Sequence, residues 1–262
     1  MRVALGLEYD GGAFHGWQTQ PGGGTVQDAF EAALTRIAGE PTRAVCAGRT
    51  DAGVHATGQV VHCDAAAQRP LSAWVRGVNS LLPPSVAVRW ARFVPEDFHA
   101  RFSARARAYR YLLLNRPQRP GLDHARVAWF HRRLDTDAMF DAARHLVGEH
   151  DFSAFRAAGC QAKTPVKSLF RAELRRDGDL VVFDFEASAF LYHMVRNMVG
   201  ALVSVGVGKR PSDWIAELLD ARDRRLAAPT FPAEGLYLTR IRYDAAWGLP
   251  DAAAYPCRRG SE

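Results

Sequence analysis

VKSLFRAELRRDGDLVVFDFEAS, residues 166–188, decides the fold class. Two runs of strand-forming residues flank Asp177-Gly178, a pair that predicts a tight hairpin with a type I′ turn. Strands joined so closely pair antiparallel, whereas parallel neighbours need a long crossover, usually a helix. A single doubly wound parallel sheet is therefore disfavoured. Working outward, ARAYRYLLLN (106–115) reads as a strand. DTDAMFDAARHLVG (135–148) reads as a helix through Met139, Phe140, Ala143, Leu146 and Val147. After the hairpin come an apolar helix from about Phe190 to Val205, a shorter helix PSDWIAELLDA (211–221) and a last strand GLYLTRIRY (235–243). The order is β-α-β-β-α-β with one extra helix.

The first part of the chain repeats this order. VALGLEY (3–9) is a strand, followed by a glycine-rich loop. A helix then runs through Val26, Phe30, Ala33, Leu34 and Ile37, opened by Thr25 and closed by Gly39. RAVCAG (43–48) and TGQVVHC (57–63) are strands, LSAWVRGVNSLL (71–82) is a helix and VAVRWARFV (86–94) a strand. The expected architecture is α+β: two tandem ferredoxin-like (split βαβ) domains with antiparallel sheets, and a basic active-site cleft between them. The domains are expected at 1–103 and 104–250, with residues 251–262 a poorly ordered basic tail.

Composition narrows the class. Of 262 residues 48% are hydrophobic and 24% charged, as in a globular protein with a substantial core. MRVALGLEYDGG (1–12) reads as a strand and not as a leader, and no apolar run reaches the roughly 18–20 residues of a membrane span. Cys46, Cys63, Cys160 and Cys257 are widely spaced without a C-x-x-C pair, which favours reduced thiols and a cytoplasmic location. The net charge is +6. Residues 1–103 balance 9 Lys+Arg with 9 Asp+Glu, and residues 104–262 hold 25 against 19. Between Asp97 and Asp123 lie six arginines (Arg101, Arg105, Arg107, Arg110, Arg116, Arg119) and no acid. Arginine forks match phosphate oxygens and stack on bases, so the run points to a polyanion, nucleic acid first.

No P-loop, dinucleotide fingerprint or nucleophile elbow is present. His55, His62 and Cys63 match no zinc spacing, and no metal site is expected. Three features remain. AGRTDAGVHATGQV (47–60) sets one carboxylate, Asp51, among glycines after a short strand. Asp51 fits an Asx-turn on Gly53 or Val54 as well as a catalytic seat. In YHMVRNMVGALV (192–203), His193, Arg196, Asn197 and Gly200 form one stripe of an apolar helix. A half-buried Arg196 needs an acid partner, with Asp184, Glu186 and Asp51 as candidates. In RARAYRY (105–111), Arg105, Arg107, Tyr109 and Tyr111 share one strand face, suited to phosphates and a stacked base or to core packing.

GRTDAGVHATGQV, FHARFSARARAYRY, DFSAFRAAGCQAKTP, FLYHMVRNMVGALVSVG and EGLYLTRIRY together resemble the ordered motifs of the bacterial TruA-type tRNA pseudouridine synthases. Ala56 departs from that pattern, where glycine is frequent. The resemblance implies a cofactor-free isomerase acting on uridine at the 3′ side of the tRNA anticodon stem-loop, and a homodimer bridged by tRNA. It implies Asp51 as the catalytic carboxylate and Arg196 as its pairing arginine. Tyr109 would be the ring stacked on the target base and a late general base, and Arg49 the side chain filling the flipped nucleotide's place. Arg105, Arg107 and His55 complete the expected substrate contacts. An RNA-binding module without catalysis and a nucleotide-phosphate enzyme using the glycine loop are the alternatives. The first would tolerate Asp51→Ala in every functional assay, and the second would respond to ATP or GTP with Mg²⁺.

Overall fold

A computed structural model describes residues 1–250; the expected tail lies outside the described residues. The chain runs through β1 (Arg2–Tyr9), α1 (Val26–Ala38), β2 (Ala44–Cys46), β3 (His55–Asp64) and β4 (Val86–Val94). It continues through β5 (Ala106–Asn115), β6 (Ala128–Phe130), α2 (Thr136–Arg144), β7 (Gly148–Asp151), β8 (Val166–Asp177) and β9 (Leu180–Ala187). It ends with α3 (Met194–Gly206), α4 (Trp214–Ala221) and β10 (Leu236–Arg242). The fold is mixed α+β with few helices. It divides into two compact units, one of residues 1–105 with Tyr237 onward, the other Ala106–Leu236.

In the first unit the strands lie in the order β4-β1-β3-β10, with β2 also on β3. β1 pairs antiparallel with β3 and β4, as does β2 with β3, whereas β10 runs parallel to β3 through Tyr237↔His55 and Leu238↔Ala56. By its place in the repeated element order, this last strand is expected with the second half. Hydrophobic alternation marks a strand but does not name its partner. α1 buries Val26, Phe30, Ala33 and Leu34, and the odd-numbered β1 residues Val3, Leu5 and Leu7 are fully buried. Each large side chain so enclosed contributes about 1.5–3 kcal/mol. A capping box starts α1: Thr25 accepts the Asp28 N–H, and the Asp28 carboxylate accepts the Thr25 N–H. The helix expected at 71–82 is present in part and contains a π-helical turn, Ala73–Gly77.

The residues after β4 cover His62 of β3, whose Nδ1 accepts the Ala100 N–H at 3.1 Å. Burial, then the charges of His99 and Arg2, push this imidazole down to about 4, against the weaker opposing pull of Asp64. Because the folded value lies below the ordinary 6.5, the unfolded chain takes up the proton first as pH falls. The neutral ring thus weakens stability only on the acid side, across about pH 6.5 to 4, by up to about 3 kcal/mol. His62→Asn, which keeps an acceptor for Ala100, is expected to flatten this decline. Urea unfolding above and below that window checks it, with the lowered His99 common to both proteins.

In the second unit the order is β5-β9-β8-β7, all antiparallel, with β6 parallel to β5. The hairpin is where the sequence put it, but its turn differs. Asp177 pairs with Leu180, so Gly178 and Asp179 are the central residues, and of these only Gly178 has positive φ, 56°. Glycine alone at the first central position is the type II′ pattern, not type I′. β6 and β7 are too short for their alternation to register in sequence. α3 is buried on almost every side, which explains its uninterrupted apolar composition. It begins at Met194, later than expected, because His193 takes a left-handed conformation (φ 59°) and stops the helix from extending backward.

Candidate active site

Asp51 stands half-buried in the loop between β2 and β3, and the surrounding residues leave that loop little freedom. The Ala47 N–H continues the β2–β3 ladder to the Val60 carbonyl at 2.8 Å. The Gln59 side-chain amide donates to the Gly48 carbonyl at 2.6 Å and to the Tyr9 hydroxyl at 3.3 Å. That hydroxyl lies 2.8 Å from Thr50 Oγ1, with Thr50 buried. Burial pushes the Tyr9 phenol upward, so it stays neutral and serves as a structural link. Beyond Asp51 the Val54 N–H donates to the Asp51 main-chain carbonyl at 3.1 Å, and Gly53 supplies a positive φ of 77°. Gly48 and Thr50, on the approach to the aspartate, are thus tied down by the buried Gln59 and Tyr9.

A second loop braces this one. The Trp17 N–H donates to the Thr50 carbonyl at 2.9 Å, and the Gly16 carbonyl accepts the Val26 N–H at 3.1 Å. Gly16 has φ 89°, and a Cβ there would lie 2.8 Å from the Thr50 carbonyl oxygen and 3.1 Å from the Asp51 carbonyl carbon. Only glycine allows this approach. With Asp51 as the catalytic carboxylate that the resemblance implies, Gly16→Ala is expected to destabilise by about 2 kcal/mol and to lower kcat by roughly tenfold by displacing residues 50–52. Thermal unfolding and single-turnover rates would show both effects.

His55 is 2% exposed. Its Nδ1 accepts the Gly11 N–H at 3.1 Å and lies 3.1 Å from Asp10 Oδ1, and its ring stacks on Tyr237 at 4.6 Å. Read from the sequence as a substrate contact, it is placed here as an internal post joining the loop's exit to β10. Arg49 is exposed beside Asp51. Its charge and that of Arg101 both act on the Cys46 thiol, although burial dominates and pushes that thiol up to about 12.

The other sequence candidates lie on or beside β5 and α3. Arg105 is exposed in the first unit, 4.0 Å from Asp244, and its N–H donates to the Arg242 carbonyl. Arg107, half-buried in the second unit, donates to the Ser188 carbonyl at 3.0 Å. Tyr109 is 8% exposed and meets Phe190 edge-on at 5.0 Å, so its ring plane is set from the side. Tyr111 is core: its hydroxyl donates to the Pro232 carbonyl at 2.8 Å, and it meets Phe183 and Phe231 edge-on. On the opposite face Arg110 grips Asp184 with two bonds, 2.8 and 3.1 Å, and Arg175 joins at 3.0 Å. Asp184, one candidate partner of Arg196, is thus engaged by two other arginines.

The polar stripe of α3 meets the segment before β10. Arg196 Nε donates to the Phe231 carbonyl at 2.8 Å, and the Phe231 N–H returns to the Arg196 carbonyl at 3.2 Å. The first bond anchors the guanidinium at Nε, and the second ties the two main chains together. Asn197, fully buried, donates to the Phe155 carbonyl at 2.7 Å and accepts from Thr230 Oγ1 (2.6 Å) and Arg224 (3.1 Å). Gly200 lets the Pro229 carbonyl come to 2.3 Å of where a Cβ would stand. Phe190, Phe231, Thr230 and Arg224 were not singled out in the sequence. Nothing local marks them, because they act on residues distant in the chain. Among the described residues no group of three or more His, Cys, Asp and Glu is placed to hold a metal ion.

The architecture and these two rigid constellations can be set against known proteins. The family model described as tRNA pseudouridine synthase matches residues 7–103 and 142–244, which include the Asp51 loop and all of α3. The tRNA pseudouridine synthase A of Dechloromonas aromatica (strain RCB) is 67% identical over 96% of both chains. Those of Aromatoleum aromaticum (60%, 95% of both) and Thiobacillus denitrificans (58%, 97% of both) are similarly close. With the match running through both constellations and nearly the full length, the chain belongs to the tRNA pseudouridine synthase family.

Proposed function

We infer that this chain is an isomerase that converts uridine to pseudouridine in tRNA, with Asp51 as its catalytic carboxylate. The observation that carries the reading is the Asp51 loop. A single acid is held half-exposed by buried Thr50, Tyr9 and Gln59, within a full-length match to the family. A preset carboxylate removes the entropy of finding its attack geometry. The reaction breaks N1–C1′ and forms C5–C1′. C5 loses its proton, N1 gains one, and nothing is oxidised, so the bond changes themselves need no redox partner.

The remaining roles follow from the resemblance and from the chemistry of each group. Arg196, anchored through Nε at the Phe231 carbonyl, is proposed to keep the carboxylate ionised and directed. Tyr109, its ring set by Phe190, is proposed to stack on the target base and to act late as a base. Arg49 is proposed to fill the space of the flipped nucleotide, and Arg105 and Arg107 to meet phosphates. The proposed target lies on the 3′ side of the anticodon stem-loop. The proposed working form is a cytoplasmic homodimer; no helix among the described residues is long and apolar enough to cross a membrane. A split βαβ origin for the tandem halves is supported by the β4-β1-β3-β2 order of the first unit.

The test is incubation of the protein with unmodified tRNA, followed by carbodiimide labelling and primer extension. A new stop on the 3′ side of the anticodon loop is expected. Unchanged tRNA after prolonged incubation would overturn the inference.

A further inference from the structure

The turn after β4 holds an aromatic ring in solvent with unusual firmness. Phe102 is 76% exposed, while its neighbours Phe98 and Ala100 are fully buried. Phe98 packs among Tyr243, Trp247 and His62. The Ala100 N–H is bound by His62 Nδ1. His99 Nδ1 accepts the N–H groups of both Arg101 and Phe102 at 3.2 Å. The turn closes on Ser103, whose N–H donates to the His99 carbonyl at 2.8 Å and whose Oγ accepts the His99 N–H at 3.0 Å. The His99 ring then lies 4.8 Å from His62 and stacks on Phe102 at 4.3 Å and 30°.

A lone exposed aromatic is ordinary. One that rests on a second ring, which in turn rests on a buried third, is a preset platform. Burial and Arg2 hold His99 below its usual value, so it stays neutral and keeps Nδ1 as an acceptor. The guanidinium of Arg101 lies over the Phe102 ring, 5.5 Å from its centroid, and after Glu96 and Asp97 the chain holds no acid until Asp123. Arg101 also shares with Arg49, next to Asp51, an electrostatic reach to Cys46. The platform therefore stands in the same part of the first unit as the Asp51 loop, with Arg49 and Arg101 both reaching Cys46.

We propose that Phe102, seated on His99 with the Arg101 guanidinium over its ring, is a stacking platform for an unpaired tRNA base, separate from the target base. A ring face accepts any base, and a neighbouring arginine meets its phosphate. The platform positions tRNA and takes no part in bond making. The proposal rests on tRNA as substrate, so binding by the parent protein is measured first, independently of product.

The experiment compares Phe102→Ala, Phe102→Leu and Phe102→Trp in tRNA filter binding, steady-state kinetics and sedimentation. Because Phe102 is exposed, all three variants are expected to fold. Phe102→Ala and Phe102→Leu should weaken Kd and raise KM roughly tenfold with kcat within about twofold, whereas Phe102→Trp should bind like the parent. Parent-like binding by Phe102→Leu would reduce the contact to apolar area and overturn stacking. A changed oligomeric state in Phe102→Ala would mean that the ring meets a second copy of the chain, and would overturn it too. Parent tRNA binding without pseudouridine would sink the proposed activity and leave the platform to stand on the three variants.

Discussion

Asp51→Asn is expected to bind tRNA within about twofold of the parent and to lower turnover by roughly 10⁴-fold or more. The replacement keeps the size and planarity of the side chain but removes its charge and its nucleophilic oxygen pair. The loop should survive the change. Its shape is set by the Gln59–Gly48, Thr50–Tyr9 and Trp17–Thr50 bonds and by the main-chain carbonyl of Asp51, none of which uses the carboxylate. Carbodiimide mapping gives the rate and filter binding the affinity. Residual turnover within tenfold of the parent would remove Asp51 from the chemistry.

Arg196→Lys is the second large effect. Lysine keeps the charge but has no Nε–H in a fixed plane, so the Phe231 carbonyl loses its 2.8 Å donor and the directed fork is gone. Under the proposed mechanism kcat should fall about 10²- to 10³-fold with KM changed less than about threefold, since the guanidinium acts on the reacting groups and not on tRNA capture. Stability should drop by about 1 kcal/mol for the lost bond. The split between kcat and KM is the discriminating reading. A loss confined to KM would make Arg196 a phosphate contact instead.

Much of this was legible in the chain. Val26, Phe30, Ala33 and Leu34 announce α1 by their spacing, and Thr25 with Asp28 announces its start. The hairpin at residues 166–188 announces antiparallel pairing, although the shifted register, Asp177 to Leu180, made its turn type II′. The apolar run of α3 announces a buried helix, but not that His193 would refuse the helical conformation and delay its start. The Asp51 loop and the Arg196 stripe could be picked out because a charged residue among glycines or apolar residues violates the local pattern. Arg105, Arg107, Tyr109 and Tyr111 shared a face on paper. In the structure the first is exposed and the last is core, because burial depends on what packs over each end of the strand.

The sequence by itself determined most element types, the antiparallel hairpin, the basic stretch and the placing of one acid, Asp51, in a glycine-rich loop, because periodicity, turn chemistry and charge are local. Tertiary structure alone decided that β10 lies beside β3. It decided that Gly16 braces Asp51, that Phe231 clamps Arg196, and that His55 is an internal post. Each of these joins residues far apart in the chain through backbone carbonyls or close approach. Backbone carbonyls are the same at every position, so no residue type announces which of them a distant side chain will find.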